Sequence, residues 1–150
     1  MRIGVISDTH GLVRPEVARA FQGVDHILHA GDIGGEEVLA ELDRIAPVTA
    51  CAGNNDGWRC GPAGKTARIA LDGLRFLLVH VRDDAAAQLR LEPADVVVFG
   101  HSHKPLDERA DGVWWFNPGS AGPRRFSLPV CVGVFERIRG KWRARHVPLQ

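Results

Sequence analysis

Five short, mostly apolar runs in this chain end in residues that bind metal ions, and nothing else in the sequence constrains the fold as tightly. Ile3-Gly4-Val5-Ile6 leads to Asp8-Thr9-His10, and Ile27-Leu28-His29-Ala30 leads to Gly31-Asp32. Val48-Thr49-Ala50-Cys51-Ala52 leads to Gly53-Asn54-Asn55-Asp56. Phe76-Leu77-Leu78-Val79 leads to His80, and Val96-Val97-Val98-Phe99 leads to Gly100-His101-Ser102-His103. In an open α/β sheet, ligands bind beyond the carboxyl ends of the strands. Carboxylates, imidazoles and a carboxamide at that edge five times over are hard to obtain from packing alone.

Near-continuous apolar runs fit strands covered on both faces. Between the first three, Pro15 suits a helix start, with Val17, Ala18 and Phe21 on one face and Gly23 as the stop. A second helix is predicted from about Gly35 to Arg44, because Val38, Leu39, Leu42 and Ile45 recur at helical spacing before Pro47. Ala67–Leu71 and Leu74–His80 flank Asp72-Gly73, which accepts the positive φ of a type I′ hairpin turn. A short helix follows over Ala85–Leu91, with Asp83 or Asp84 as N-cap and Pro93 at its end. The last third reads as antiparallel. Leu106–Arg109 and Val113–Phe116 surround Asp111-Gly112, and Val130–Ile138 and Lys141–Val147 surround Arg139-Gly140. The expected fold class is α/β, with two packed mixed β-sheets flanked by helices. A length of 150 residues, without a Gly-, Pro- or Ser-rich linker, predicts a single domain over 1–150.

Charge and cysteine usage narrow the function. With 19 basic and 18 acidic residues, the net charge of +1 argues against general nucleic-acid binding. Cys51, Cys60 and Cys131 are odd in number and irregularly spaced, so reduced thiols in a cytoplasmic protein are expected, not a disulfide framework. No apolar stretch approaches the ~20 residues of a membrane span, and Met1-Arg2 runs straight into the first apolar run, unlike a signal peptide.

The candidate ligands are Asp8, His10, Asp32, Asn54, His80, His101 and His103. Mixed imidazole and oxygen donors suit Mn, Fe, Zn, Ni or Co better than Ca. Seven ligands exceed what one ion with open positions takes from protein. They suit two ions about 3.5–4 Å apart that share a carboxylate, the arrangement that stabilises both attacking and leaving oxygens of an in-line displacement at phosphorus.

In their order and spacing, Asp8-x-His10, Gly31-Asp32, Gly53-Asn54-x-Asp56, His80 and Gly100-His101-x-His103 resemble the signature of the calcineurin-like metallophosphoesterases. The chain length and Asn117-Pro118-Gly119-Ser120 resemble the small prokaryotic branch, the YfcE-type phosphodiesterases. The resemblance spans Ile3 to about Arg125. It implies a double-sheet sandwich flanked by helices, two divalent ions with Mn²⁺ foremost, and attack by a metal-bridging hydroxide on a small phosphoester. It also implies that Asp8, His10, Asp32 and His103 hold one ion, and that Asp32, Asn54, His80 and His101 hold the other, with Asp32 bridging. Phosphodiesterase is the expected activity. The alternatives are a phosphomonoesterase and a partner-binding scaffold, since a eukaryotic retromer subunit resembles the same family. No membrane partner is expected, and an oligomer is compatible with the sequence.

The chain departs from the family pattern twice. Asn55 stands where larger relatives carry the histidine that protonates the leaving oxygen, and a carboxamide is no acid near neutral pH. Val81 stands where the family usually has glycine, which predicts a changed backbone after His80 because β-branched residues resist positive φ. Asp56 is expected to orient a ligand imidazole or to take part in catalysis. His26 and His146 are expected at the surface, and His29 in the core or near the site. Of Trp114 and Trp115, one is expected inside and one outside. Asn117–Ser120 reads as a tight turn or as a loop supporting the site. Arg124-Arg125 could reach a substrate phosphate, and Lys141, Arg143 and Arg145 form a solvated strand face.

Overall fold

The computed structural model describes residues 1–54, 56 and 64–149. β1 (Arg2–Ile6), β2 (His26–His29) and β3 (Val48–Ala50) alternate with α1 (Pro15–Ala20) and α2 (Glu36–Asp43). The helical crossovers let the three strands pair in parallel. The second sheet contains β4 (Thr66–Leu71), β5 (Leu74–Val79), β6 (Val96–Val98), β7 (Leu106–Ala110) and β8 (Val113–Asn117). A 3-10 turn at Arg82–Asp84 leads into α3 (Ala85–Leu91), which connects β5 to β6. β9 (Cys131–Ile138) and β10 (Lys141–Pro148) return to the first sheet. The strand orders are β10-β9-β1-β2-β3 and β4-β5-β6-β8-β7.

The two sheets face each other across one apolar cluster. Ile3, Val5 and Leu28 meet Phe76, Leu78 and Val98, and Phe135 stands at the centre of a ring cluster. Its ring centroid lies 4.8 Å from those of Trp114 and Phe116 and 5.5 Å from that of Phe76. Val17, Phe21, Val38 and Leu42 of the first two helical segments cover the outer face of the first sheet. Ala85 and Leu89 of α3 cover the outer face of the second. The layers are therefore helix, sheet, sheet, helix, as the sequence predicts. All three expected hairpin turns carry positive φ at both central residues: Asp72-Gly73, Asp111-Gly112 and Arg139-Gly140. No helix among the described residues is long and apolar enough to cross a membrane.

Several local expectations need correction. The last third is not simply antiparallel, because β8 pairs in parallel with β6 while β9 pairs antiparallel with β1 of the other sheet. Hairpin signals identify only sequence-adjacent mates. Ala18 is exposed, and the inward face of the first helical segment is Val17 and Phe21. Asp84 stands at the N-cap of α3 as expected, but its side chain makes no capping hydrogen bond, and its amide instead closes the preceding 3-10 turn onto the Val81 carbonyl at 3.0 Å. One of the two tryptophans is inside as expected, Trp114, but the other, Trp115, is half-buried beneath the Arg82 guanidinium and not exposed. His146 is also half-buried, its ring stacked on Phe116 at 4.7 Å and its Nε2 2.7 Å from the Asn117 carbonyl oxygen. His26 is half-buried beside Thr49.

Phe135 joins the two sheets through three aromatic contacts and is fully buried. Phe135→Ala is expected to destabilise the protein by about 3–5 kcal/mol, the usual cost of emptying a core phenylalanine site. Urea denaturation checks this, and a loss below about 1 kcal/mol would contradict the packing described.

Candidate metal centre

β1, β2 and β3 of one sheet and β5 and β6 of the other all end at one edge of the sandwich. There the five motif loops are bonded to one another. The Asp8 and His10 amides donate to the Gly31 and Asp32 carbonyls, each at 2.9 Å. The Gly100 amide donates to the His80 carbonyl at 3.0 Å, and the His101 amide donates to Asp8 Oδ2 at 3.2 Å.

This convergence brings Asp8, His10, Asp32, His80 and His103 together. Asp8 Oδ1 lies 4.0 Å from His10 Nε2, 3.9 Å from His80 Nε2 and 3.5 Å from His103 Nε2. Asp32 Oδ2 lies between two of the same imidazoles, 3.7 Å from His10 Nε2 and 3.2 Å from His80 Nε2. Two groups with ligand atoms mutually within 4.8 Å result, Asp8–His10–His103 and Asp8–Asp32–His80. Asn54 and His101 stand outside both groups and are exposed. The His101 ring centroid is 5.3 Å from that of His80, and Asn54 lines a cleft together with His80. His101 and His103 do not share a face: one is at the rim and the other is 4% exposed. Asn55 lies outside the described residues.

Backbone strain is concentrated here. Asp8, His10, Asp32, His101 and His103 all have φ between 48° and 70°, a region that non-glycine residues seldom enter. Close approach explains two of the motif glycines. A Cβ at Gly53 would lie 2.2 Å from Asp32 Oδ1, and one at Gly100 would lie 2.1 Å from Ser7 Oγ and 2.6 Å from Asp8 Oδ2. Val81, the residue after His80, is extended at φ −106° and ψ 127°. The backbone there needs no glycine, and the substitution costs no strain.

A second layer of groups fixes the first. The His80 Nδ1–H donates to the Ala30 carbonyl at 2.8 Å, which leaves the Nε2 lone pair facing the carboxylates. Ser7 Oγ donates to Asp8 Oδ2 at 2.8 Å and turns Oδ1 inward. Asp56, 1% exposed, accepts from the amides of Ile33, Gly34 and Gly53 and so pins the loops that carry Asp32 and Asn54. Its described bonds go to backbone, a positioning role. Asn117 donates to the Gly100 carbonyl and to Ser102 Oγ, and Ser120 Oγ donates to the Asp8 carbonyl. The 117–120 segment thus supports the site.

His29, Thr9 and Ser7 are support residues that the motifs do not single out. The Gly31 amide donates to His29 Nδ1 at 3.1 Å, so His29 Nε2–H donates to Thr9 Oγ1 at 3.0 Å, and Thr9 donates to the Ile33 carbonyl at 2.8 Å. The sequence signal for His29 was only its place inside an apolar run.

The site's electrostatics call for a cation. Asp8 Oδ1, His10 Nε2 and His80 Nε2 are buried with no hydrogen-bond partner among the described residues. Burial pushes the Asp8 carboxyl above its ordinary range, and the like charge of Asp32 adds to this against the pull of His80, Ser7 and His103. Burial opposes charge on His80, yet Asp32, the Ala30 carbonyl and Asp8 outweigh it and raise its pKa. His103 is lowered, first by burial and then by Arg125 and His10. Arg125 therefore acts on the site, while both Arg124 and Arg125 are exposed. Two buried carboxylates and inward-facing imidazole nitrogens suit divalent transition metals by donor chemistry. Cys51 and Cys131 are free and buried, and burial pushes their thiols up to about 12 and about 11, so neither is a ligand thiolate.

Residues 1–138 match the model of the calcineurin-like phosphoesterase superfamily domain. The chain belongs to this superfamily. Within it, the chain is 38% identical to a probable metallophosphoesterase of Methanothermobacter thermautotrophicus, over 94% of this chain and 88% of the relative. A structurally characterised archaeal phosphodiesterase superposes with a TM-score of 0.79 at 25% identity, covering 98% of this chain and all of its own. Vps29 of Entamoeba histolytica, in complex with zinc, superposes at 0.74 with 22% identity over the whole of both chains, which shows the shared fold. The helix–sheet–sheet–helix layering of this calcineurin-like chain is thus the layering of its superfamily.

His29 provides a pH test of the support layer. Burial first, with the His80 and His10 charges adding, holds its pKa down to about 3 against an ordinary 6.5. Between those values the unfolded chain takes up a proton that the folded chain refuses, so stability falls as pH drops below about 6.5, by up to about 1.4 kcal/mol per pH unit. The stability advantage of the wild-type over His29→Phe, measured by urea denaturation of metal-free protein, is expected to shrink from pH 7 to pH 4. A pH-independent difference would contradict a buried neutral imidazole.

Proposed function

We propose that this protein is a phosphodiesterase that uses two divalent transition metal ions, Mn²⁺ first, with Fe, Zn, Ni or Co as ions of similar ligand preference. Asp8, His10, Asp32 and His103 hold one ion. Asp32, Asn54, His80 and His101 hold the other. The observation that carries the reading is Asp8 Oδ1: buried, without a hydrogen bond among the described residues, and ringed by three imidazoles with Asp32 Oδ2 beside two of them. The superposed archaeal phosphodiesterase and zinc-bound Vps29 support a metal and a phosphodiester on this fold. When bound, the ions supply Lewis acidity toward the phosphoryl oxygens and lower the pKa of water, so that the nucleophile comes from solvent.

The chain's own groups bind, orient and withhold protons. His80, locked by Ala30, presents Nε2 without rotating. Asp56 keeps the Asp32 and Asn54 loops at a fixed separation through its backbone bonds. Arg125, close enough to shift His103, is placed to attract the phosphate anion. Asn55 offers no proton to the departing oxygen. One cleft is lined by His80 and Asn54 and another by His101 and Gly100, with the two imidazole rings 5.3 Å apart. This gives each ester group of a diester its own side and favours a diester over a monoester. Free, buried thiols suit work in the cytoplasm.

Hydrolysis of a panel of phosphodiesters and monoesters with added Mn²⁺ tests the reading. Asp32→Asn is expected to lower kcat by at least about 100-fold and to lower metal content, because several kcal/mol of charge stabilisation are removed. Unchanged turnover would overturn the two-metal reading. Metal binding without hydrolysis of any ester would favour a scaffold. With no acid at Asn55, nitrophenyl diesters are expected to be cleaved far faster than alkyl diesters. A rate independent of leaving-group pKa would show that another residue donates the proton.

A further inference from the structure

One wall of the candidate centre opens into a pocket of about 450 Å³. Gly100 and His101 form its inner edge, and Val81, Phe99, Pro105 and Leu106 supply apolar walls. Successive side chains on extended backbone point to opposite sides. His80 faces Ala30 and Asp32, and Val81, extended at φ −106°, turns away into this pocket. The residue in which this chain departs from its family's usual glycine is therefore a pocket wall.

The polar groups around the pocket are spent or offset. Arg82 lies over the Phe99 and Trp115 rings, at 5.5 Å and 4.6 Å from their centroids, and donates to Glu108 at 2.5 Å. Asp83 and Lys104 line the pocket with opposite charges. A charged ester group would gain little here, whereas an apolar one would be removed from water against Val81 and Leu106. A cavity of roughly 150 Å³ suffices for benzene, so the pocket has room for an aromatic ring.

We infer that one ester group of the substrate is an uncharged, apolar ring that seats between Val81 and Leu106 while the phosphoryl group lies at the metal centre. This rests on the reading of that centre as a phosphodiesterase. The pocket gives the enzyme a preference among phosphodiesters that the metals alone cannot supply.

The test compares phenylphosphonate with methylphosphonate, bound to the Mn²⁺-loaded full chain and followed by calorimetry. Phenylphosphonate is expected to bind about tenfold more tightly, the scale set by burying part of an aromatic ring. Leu106→Ala and Val81→Gly are each expected to shrink that ratio to about twofold, and Leu106→Ala should leave methylphosphonate affinity unchanged. With bis(4-nitrophenyl) phosphate, Leu106→Ala should raise KM several-fold at unchanged kcat, since the contact is the same in ground and transition states. Equal affinity for the two phosphonates in wild type would overturn the pocket, as would a ratio that both variants preserve. If the phenyl preference holds but no diester is hydrolysed, the pocket stands and the phosphodiesterase reading falls. If neither phosphonate binds, both fall.

Discussion

Two carboxylates, Asp8 and Asp32, are buried at one edge of the sandwich with inward-facing imidazoles between them, and the rest of the structure serves to keep them there. In water, such charges would separate or take up protons. Here the Asp8 carboxyl is driven upward by burial and by Asp32, yet its Oδ1 has no hydrogen-bond donor among the described residues. An arrangement this costly persists only when a counter-charge resolves it. His80, raised despite its burial, shows that the same spot attracts positive charge. Divalent metal cations would satisfy these groups together, so the donor set reads as a metal centre and not as a structural salt bridge.

Holding that arrangement needs rigidity from both sheets. The loops after β1, β2, β5 and β6 are cross-bonded, so these donor groups do not each depend on their own loop alone. Asp8 is fixed by Ser7 below, by the His101 amide from the second sheet, and by Ser120 at its carbonyl. The cost appears as left-handed backbone at Asp8, His10, Asp32, His101 and His103. Glycines at 53 and 100 are required because another loop's carboxylate occupies the space where a Cβ would be. The motif glycines therefore record contacts between loops that are distant in sequence.

Much of the fold was legible because its signals are local. The β-α-β-α-β opening, the three turns of Asp72-Gly73, Asp111-Gly112 and Arg139-Gly140, and the helix after Pro15 each follow from spacing and turn chemistry. The pairing of β8 with β6 and of β9 with β1 was not legible, because those partners are chosen by cross-sheet packing around Phe135 and by crossover geometry. In the site, the ordered Asp, His and Asn positions pointed to Asp8, His10, Asp32, His80 and His103, which the structure draws together. It leaves Asn54 and His101 at the rim, a distinction that motif spacing cannot draw. Ser7 and Thr9 went unnoticed because small hydroxyls carry no spacing signature, and His29 could be placed only in the core or near the site. A supporting role for Asp56 was expected, but not its backbone partners, since Ile33 and Gly34 lie more than twenty positions away.

Anomalous X-ray diffraction from crystals of the Mn²⁺-loaded protein tests the two-ion centre most directly. Two anomalous peaks about 3.5–4 Å apart are expected, both in contact with Asp32, one towards His10 and His103 and the other towards His80. A single peak, or peaks away from the Asp8 and Asp32 carboxylates, would contradict a pair of ions sharing Asp32.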